Sequence, residues 1–239
     1  MGKDIFIWMP TLWSLDTKMA LFLYELLKTT SHNFTIFHTV RQDIVRARNN
    51  IIKEFLKTDC EYLLFLDDDN IPDSIDFIDR MLEARKHIIS ALIPTRTLSE
   101  NGNHLLCIFY ENTNGYWEHQ YWQYTNIPNW DLTEIANCGM GCVMIKRNVI
   151  EDISKKYVYP CMMWEYWYYQ SGAGYLREDD IDIYKLEEGR LRFKRFMSED
   201  LLFFERCRWL GYKIYAHKNV TCSHIWENKI ITVKNHIWN

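Results

Sequence analysis

Residues 62–69 read Tyr62-Leu63-Leu64-Phe65-Leu66-Asp67-Asp68-Asp69, five apolar or aromatic residues running straight into three carboxylates. A strand that is apolar at every position is covered on both faces and belongs inside a parallel sheet. Ligands of open α/β sheets collect at the carboxyl ends of the strands, which is where the aspartates stand. Alternate residues of a strand share a face, so the pattern predicts Asp67 and Asp69 on one side and Asp68 on the other. Three adjacent carboxylates repel one another, and burying them is costly unless a cation compensates. A hard divalent ion, Mg²⁺ or Mn²⁺, would do so and keep positions open for phosphate. The competing reading is a solvated acidic turn ahead of Pro72.

Working outward, residues 4–93 alternate strand and helix. Ile5-Phe6-Ile7-Trp8 is a short strand broken at Pro10. Residues 17–29 carry Met19, Phe22, Leu23, Leu26 and Leu27 at helical spacing. Phe34 to Phe37 reads as strand, and residues 42–57 as a helix striped by Ile44, Ile51, Ile52, Phe55 and Leu56. Residues 73–86 form a third helix after Pro72, and residues 88–93 a further apolar strand closed by Pro94. Four strands joined by three helical crossovers predict a doubly wound α/β sheet. Beyond Thr95 the elements shorten. Turns fall at Asn101-Gly102-Asn103 and at residues 112–115, with strands at 105–110, 121–124 and 142–145. A helix starts at Arg147, and Ser198 caps another whose first residues, Glu199 and Asp200, favour its N-terminal dipole. The expectation is one continuous sheet shared by both halves.

The bulk properties agree with a folded globule. The chain has 239 residues, enough for one large domain, and a net charge of 28 − 32 = −4. Hydrophobic residues make up 48% and charged residues 25%, which excludes a disordered chain, a collagen and a highly basic nucleic-acid coat. The seven cysteines are scattered without a Cys-x-x-Cys pair, against a zinc ribbon or disulfide scaffold and for a reducing cytoplasm. No apolar run reaches the ~18 residues of a membrane span, and the N-terminus lacks the pattern of a signal peptide.

Several residues ask for a chemical role. Arg48 falls on the apolar stripe of its helix, and a half-buried arginine needs a partner: an acid of the chain or the diphosphate of a bound nucleotide. Asn49 and Gln42 lie near it. Gly139 and Gly141, in Cys138-Gly139-Met140-Gly141, either let the backbone approach a ligand or make a tight turn. The aromatic stretch 157–175 offers stacking surfaces, a lid or a dimer face. Arg190, Arg192, Lys194 and Arg195 form a basic cluster beside it, readable as a nucleic-acid contact or as a solvated strand face.

Taken in order, these segments resemble the glycosyltransferases of the GT-A fold, especially family-2-like members. LLFLDDDNIP resembles their Asp-x-Asp segment, and QDIVRARN, residues 42–49, the helix upstream of it. The glycine loop at 138–141 with its following strand, and SEDLLFFERC at 198–207, are similar to the family's glycine segment and acidic-pair motif. The resemblance covers roughly residues 1–225. It implies a GT-A-like mixed sheet in a single domain, with residues 1–97 as the nucleotide-sugar half and 98–239 as the acceptor half. It also implies sugar transfer from a nucleotide-sugar donor, a UDP-sugar favoured, to an acceptor hydroxyl, with inversion.

Residue by residue, Asp69 would bind Mn²⁺ or Mg²⁺ directly, His224 would be a further metal ligand, and Asp67 would complete the metal set, meeting the ribose or the water shell of the ion. Asp67, Asp68, Gly139 and Gly141 would line the donor site with Pro10, Thr11, Gln42, Arg48 and Asn49. Asp200 would be the general base, with Glu199 as runner-up. The acceptor could be a carbohydrate, a protein or, third, a modified DNA base. The alternatives are a nucleotidyltransferase, disfavoured by the lack of glycine in MPTLWSLDTK, and a non-catalytic nucleotide-sugar-binding protein.

Overall fold

A computed structural model describes residues 2–11, 15–40, 42–100, 102–112, 120–124, 126, 128–157, 184–187, 190–193, 198–226 and 229–233. The first half alternates as expected: β1 (Asp4–Thr11), α1 (Thr17–Thr29), β2 (Asn33–Val40), α2 (Ile44–Leu56), β3 (Tyr62–Leu66), a short β4 (Asn70–Pro72), α3 (Phe77–Glu83) and β5 (Ile88–Leu92). Short strands follow: β6 (Pro94–Leu98), β7 (His104–Leu106), β8 (Ile108–Asn112), β9 (Gln120–Gln123), β10 (Leu132–Ile135) and β11 (Asn137–Cys138). The last elements are β12 (Cys142–Lys146), α4 (Arg147–Tyr157), β13 (Tyr184–Glu187), β14 (Arg190–Phe193), α5 (Glu199–Trp209), β15 (Ile214–Trp226) and β16 (Lys229–Ile231).

The central sheet runs β10-β15-β5-β12-β3-β1-β2, with β4 and β16 paired to β15. Strands β2, β1 and β3 are parallel, as are β5 and β15. Between β3 and β5 lies β12, antiparallel to both. The expected mixed α/β sheet is therefore what forms, and strands of the C-terminal half are built into it. One detail differs: β3 is parallel to β1 only and is closed on its other side by the antiparallel β12.

Alternation along the strands sorts the core into two layers. Phe6, Trp8, Leu63 and Phe65 face α2, α4 and α5, whereas Ile5, Ile7, Leu64 and Leu66 face α1 and α3. Burial on both faces explains the uninterrupted apolar run of β3.

The first strand does not break at Pro10 but continues to Thr11. Its pairing with β3 stops at Trp8, so Pro10 pairs only with Thr39 of β2 and its missing N–H costs the ladder nothing on the β3 side. The third helix starts at Phe77 rather than 73, because residues after the aspartates are drawn into β4 and Asp73 accepts hydrogen bonds from Thr221 and Ser223 of β15. Among the described residues no disulfide forms, and no helix is long and apolar enough to cross a membrane.

Candidate donor and metal site

A cavity of about 300 Å³ opens at the carboxyl ends of β1 and β3, lined by Pro10, Thr11, Thr39, Gln42, Ile44 and the three aspartates. That volume is at the small end for sites that take organic ligands. Thr11 donates to the Thr39 carbonyl at 3.4 Å, and Trp8 Nε1 donates to Thr39 Oγ1 at 3.2 Å, which fixes the wall formed by β1 and β2. Asp43 caps α2 by accepting from the Val45 and Arg46 amides at 3.0 and 3.2 Å, so the helix begins beside Gln42. Pro10, Thr11 and Gln42 thus come together on the wall of this cavity. Thr39 and Ile44 were missed, although Thr39 is near the carboxyl end of a parallel strand and the same rule reaches it.

The strand ends at Leu66, and the Asn70 amide turns back to donate to the Asp67 carbonyl at 3.1 Å. The strand alternation expected of the aspartates therefore does not apply, and Asp68 lines the cavity along with Asp67 and Asp69. The Asp67 amide donates to the Gly141 carbonyl at 2.9 Å. Its Oδ1 is buried and has no hydrogen-bond partner among the described residues. Burial pushes the Asp67 carboxyl up to about 7, against the pull of Arg48 and with help from the charges of Asp69, Asp68 and Asp200. Burial, then the charge of Asp69, pushes Asp68 up to about 6. Burial is the larger cause at both carboxyls, so each resists carrying its charge here.

Asp69 is held more tightly. Its Oδ1 accepts from Asn70 Nδ2 at 2.9 Å, while Oδ2 faces His224 Nε2 at 3.2 Å and Arg96 Nη2 at 3.3 Å. His224 Nδ1 lies 2.9 Å from the Pro94 carbonyl, an acceptor only, so Nδ1 carries a proton and Nε2 is turned to the carboxylate. Burial pulls the imidazole pKa down, but the hydrogen bonds to Asp69 and Pro94 outweigh it and the pKa is raised.

Of the three expected metal ligands, Asp69 and His224 come together and Asp67 turns towards Arg48. Among the described residues no three His, Cys, Asp or Glu side chains form a ready-made cage. The carboxylate–imidazole pair with an orphaned aspartate oxygen nearby fits an ion that completes its shell from a bound molecule.

Arg48 is 6% exposed; its Nη1 donates to Glu199 and its Nη2 lies 3.9 Å from Asp67 Oδ2. The partner demanded by its place on the apolar stripe is an acid of the chain. Burial raises the pKa of Glu199, with Arg48 opposing. Asp200, one residue on, stands in the first turn of α5. Its Oδ1 accepts from the Ser198 hydroxyl and from the Leu201 amide, the latter at 2.8 Å. Ser198 thus occupies the N-cap, but its hydroxyl goes to Asp200 rather than to a backbone amide. Asn137, unanticipated from the sequence, donates from its side chain to the Leu201 carbonyl at 2.8 Å and ties the glycine loop to α5.

Both loop glycines are buried, and neither has a positive φ. A Cβ on Gly141 would stand 2.7 Å from Asn70 Nδ2, and one on Gly139 would stand 2.4 Å from Cys107 Sγ and 3.5 Å from Asp200 Oδ2. The space they leave is taken by the chain's own side chains. Asn49 is buried in α2, donating to the Val45 carbonyl at 2.9 Å, and does not line the cavity. Of the aromatic stretch only Tyr157 is described; it is buried, with Arg206 over its ring at 4.6 Å. The rest of that stretch lies outside the described residues, as do Lys194 and Arg195. Arg190 and Arg192 are in β14, in register with Glu187 and Lys185 of β13.

The fold has a counterpart among solved structures. A197 from STIV superposes with a TM-score of 0.57 over 97% of this chain and 91% of its own, at 16% identity. A glycosyltransferase involved in the glycosylation of the major capsid of PBCV-1 matches over 66% of this chain and 77% of its own, at 12% identity and a TM-score of 0.33. UDP-glucose pyrophosphorylase complexed with UDP-glucose matches over 93% and 92%, at 9% identity and a TM-score of 0.43. The first likeness speaks for the fold alone, and the other two are too loose to carry an argument. No protein-family model matches the chain, and no curated protein sequence matches it.

Proposed function

We propose that this chain is a metal-dependent glycosyltransferase that moves a sugar from a nucleotide-sugar donor, a UDP-sugar favoured, to an acceptor hydroxyl with inversion. The observation that carries the reading is the cavity at the carboxyl ends of β1 and β3, floored by three aspartates, one of them facing a histidine. Pro10, Thr11, Thr39 and Gln42 would cradle the nucleoside, and Asp67 and Asp68 would meet the ribose or the water shell of the ion. Mn²⁺ or Mg²⁺ held by Asp69 and His224 would supply the charge that neutralises the diphosphate leaving group.

Asp200 would take the acceptor proton. The new bond runs from the acceptor oxygen to the anomeric carbon as the bond from that carbon to the phosphate oxygen breaks. The electron pair leaves with the nucleoside diphosphate. Glu199 is better read as the counter-ion of Arg48 than as a base, since their buried pair occupies it. The acceptor belongs to a carbohydrate, a protein or a modified DNA base, and the setting is cytoplasmic.

A thermal-shift panel of UDP-, GDP-, CMP- and dTDP-sugars and of nucleoside triphosphates, with and without Mn²⁺, tests the reading. Binding raises stability by RT ln(1 + [L]/Kd), about 2.7 kcal/mol at a hundredfold excess over Kd. A Mn²⁺-dependent shift with one nucleotide is expected. A shift with nucleoside triphosphates alone would replace the reading with nucleotidyl transfer, and no shift at all would remove the donor site.

A further inference from the structure

We propose that Arg96 is the resident counter-cation of Asp69 and makes tight binding of a divalent ion conditional on a diphosphate arriving with it. The inference rests on the donor-site reading above and assigns regulation within that site. Two positively polarised groups converge on one oxygen: His224 Nε2 at 3.2 Å and Arg96 Nη2 at 3.3 Å from Asp69 Oδ2. The histidine is anchored from behind by the Pro94 carbonyl at 2.9 Å. Arg96 lies two residues further along the same strand, β6, and its side chain is 51% exposed. One strand therefore fixes the imidazole and supplies a half-exposed guanidinium to the same carboxylate.

An ion approaching Asp69 Oδ2 meets a guanidinium already there. Like charges at such a distance repel, and the ion must also break the existing ion pair. Arg48 is not available to take a phosphate in place of Arg96, because it is buried and held by Glu199. A diphosphate resolves it: its oxygens accept the guanidinium fork in place of the carboxylate and bring negative charge to the ion in the same step. Arg96 would then exchange Asp69 for phosphate as the ion takes Asp69.

The test compares wild type, Arg96→Met and Arg96→Lys for binding of Mn²⁺ alone and of the preformed 1:1 Mn²⁺–pyrophosphate complex. Binding of the bare ion is read from the loss of the free-ion electron paramagnetic resonance signal, and binding of the complex by equilibrium dialysis. The methionine variant should bind Mn²⁺ alone on the order of tenfold more tightly than wild type, and the complex on the order of tenfold more weakly. The lysine variant should stay near wild type for the bare ion. Arg96→Gln serves in its place if the methionine variant does not fold. Asp69→Asn separates the two levels of the argument. If it abolishes Mn²⁺ binding while Arg96→Met leaves both affinities unchanged, the role of Arg96 is overturned and the site stands. If Asp69→Asn binds like wild type, or no protein binds Mn²⁺ in either form, the donor-site reading falls and the Arg96 inference with it.

Discussion

Arg48 and Glu199 are 151 residues apart in sequence and form a buried ion pair that joins α2 to the first turn of α5. The pair places the guanidinium 3.9 Å from Asp67, so one cation serves a carboxylate from each half of the chain. This arrangement sets Asp200 at the edge of the same field, where its charge helps to raise the pKa of Asp67.

Arg48→Met should be strongly destabilising, by about 3–5 kcal/mol, because it strands Glu199 without a partner in a buried place. The double variant Arg48→Met, Glu199→Met should recover much of that loss, since well-packed apolar residues can replace a buried pair. Urea unfolding of both variants measures the difference. A double variant as unstable as the single one would show that a stranded Glu199 is not the cause of the loss.

The aspartates and their cavity were legible because of one physical rule, that ligands gather at the carboxyl ends of parallel strands, applied after Tyr62–Leu66. The same rule reaches Thr39 on β2 and Arg96 just beyond β5, which follow strands equally visible in the sequence. The position of β12 was not legible: a strand buried over residues 142–145 is apolar on both faces whether its neighbours are parallel or antiparallel. The glycine loop was ambiguous for a related reason. A missing side chain is the same in sequence whether a ligand or the chain's own Asn70 and Cys107 fill the space. Arg48 was half legible: its place on the stripe demanded a partner, but only the fold brings residue 199 to it.

Asp67 gives the metal-free protein a characteristic pH dependence. Its carboxyl is raised from 3.8 to about 7, so its contribution to stability is fully present below 3.8 and is lost as the pH rises through 7. Asp68, raised to about 6, adds to the same slope. Asp67→Asn should therefore melt higher than wild type at pH 8 without divalent ion, and the gap should close towards pH 4. The scale is about 2–4 °C per kcal/mol for a chain of this size. Melting curves across pH 4–8 read the effect, and equal slopes for the two proteins would refute the burial of a charged Asp67.

The two metal candidates should fail together. Asp69→Asn and His224→Ala are each expected to abolish the Mn²⁺-dependent thermal shift and to lower sugar transfer on the order of 10²-fold or more, the scale of a lost charge-stabilising group. Chelation of the wild type with EDTA should reproduce the loss, and added Mn²⁺ should reverse it only in the wild type. A His224→Ala protein that keeps its Mn²⁺ shift would take the imidazole out of the ligand set.

The adjacent acids should separate cleanly. Asp200→Asn is expected to reduce transfer by about 10²–10⁴-fold with little change in donor affinity, as for a lost general base. Its Oδ1 contacts with Ser198 and Leu201 can be kept by an amide oxygen, so the fold should persist. Glu199→Gln should act mainly on stability through Arg48. Single-turnover rates beside unfolding curves distinguish the two, and a Glu199→Gln protein that is stable yet inactive would reverse the assignment of the base.

The glycine loop offers a test of packing against chemistry. Gly139→Ala brings its Cβ within 2.4 Å of Cys107 Sγ, closer than any real contact, and should cost about 1–3 kcal/mol as an overpacked site. Removing the sulfur relieves the clash, so Gly139→Ala, Cys107→Ala should regain most of the stability. Because the same Cβ would stand at an ordinary 3.5 Å from Asp200 Oδ2, the double variant should also regain transfer. Recovery of stability without activity would instead mean that the bare backbone at Gly139 is needed by the substrate, and the loop would return to the binding role that its sequence suggested.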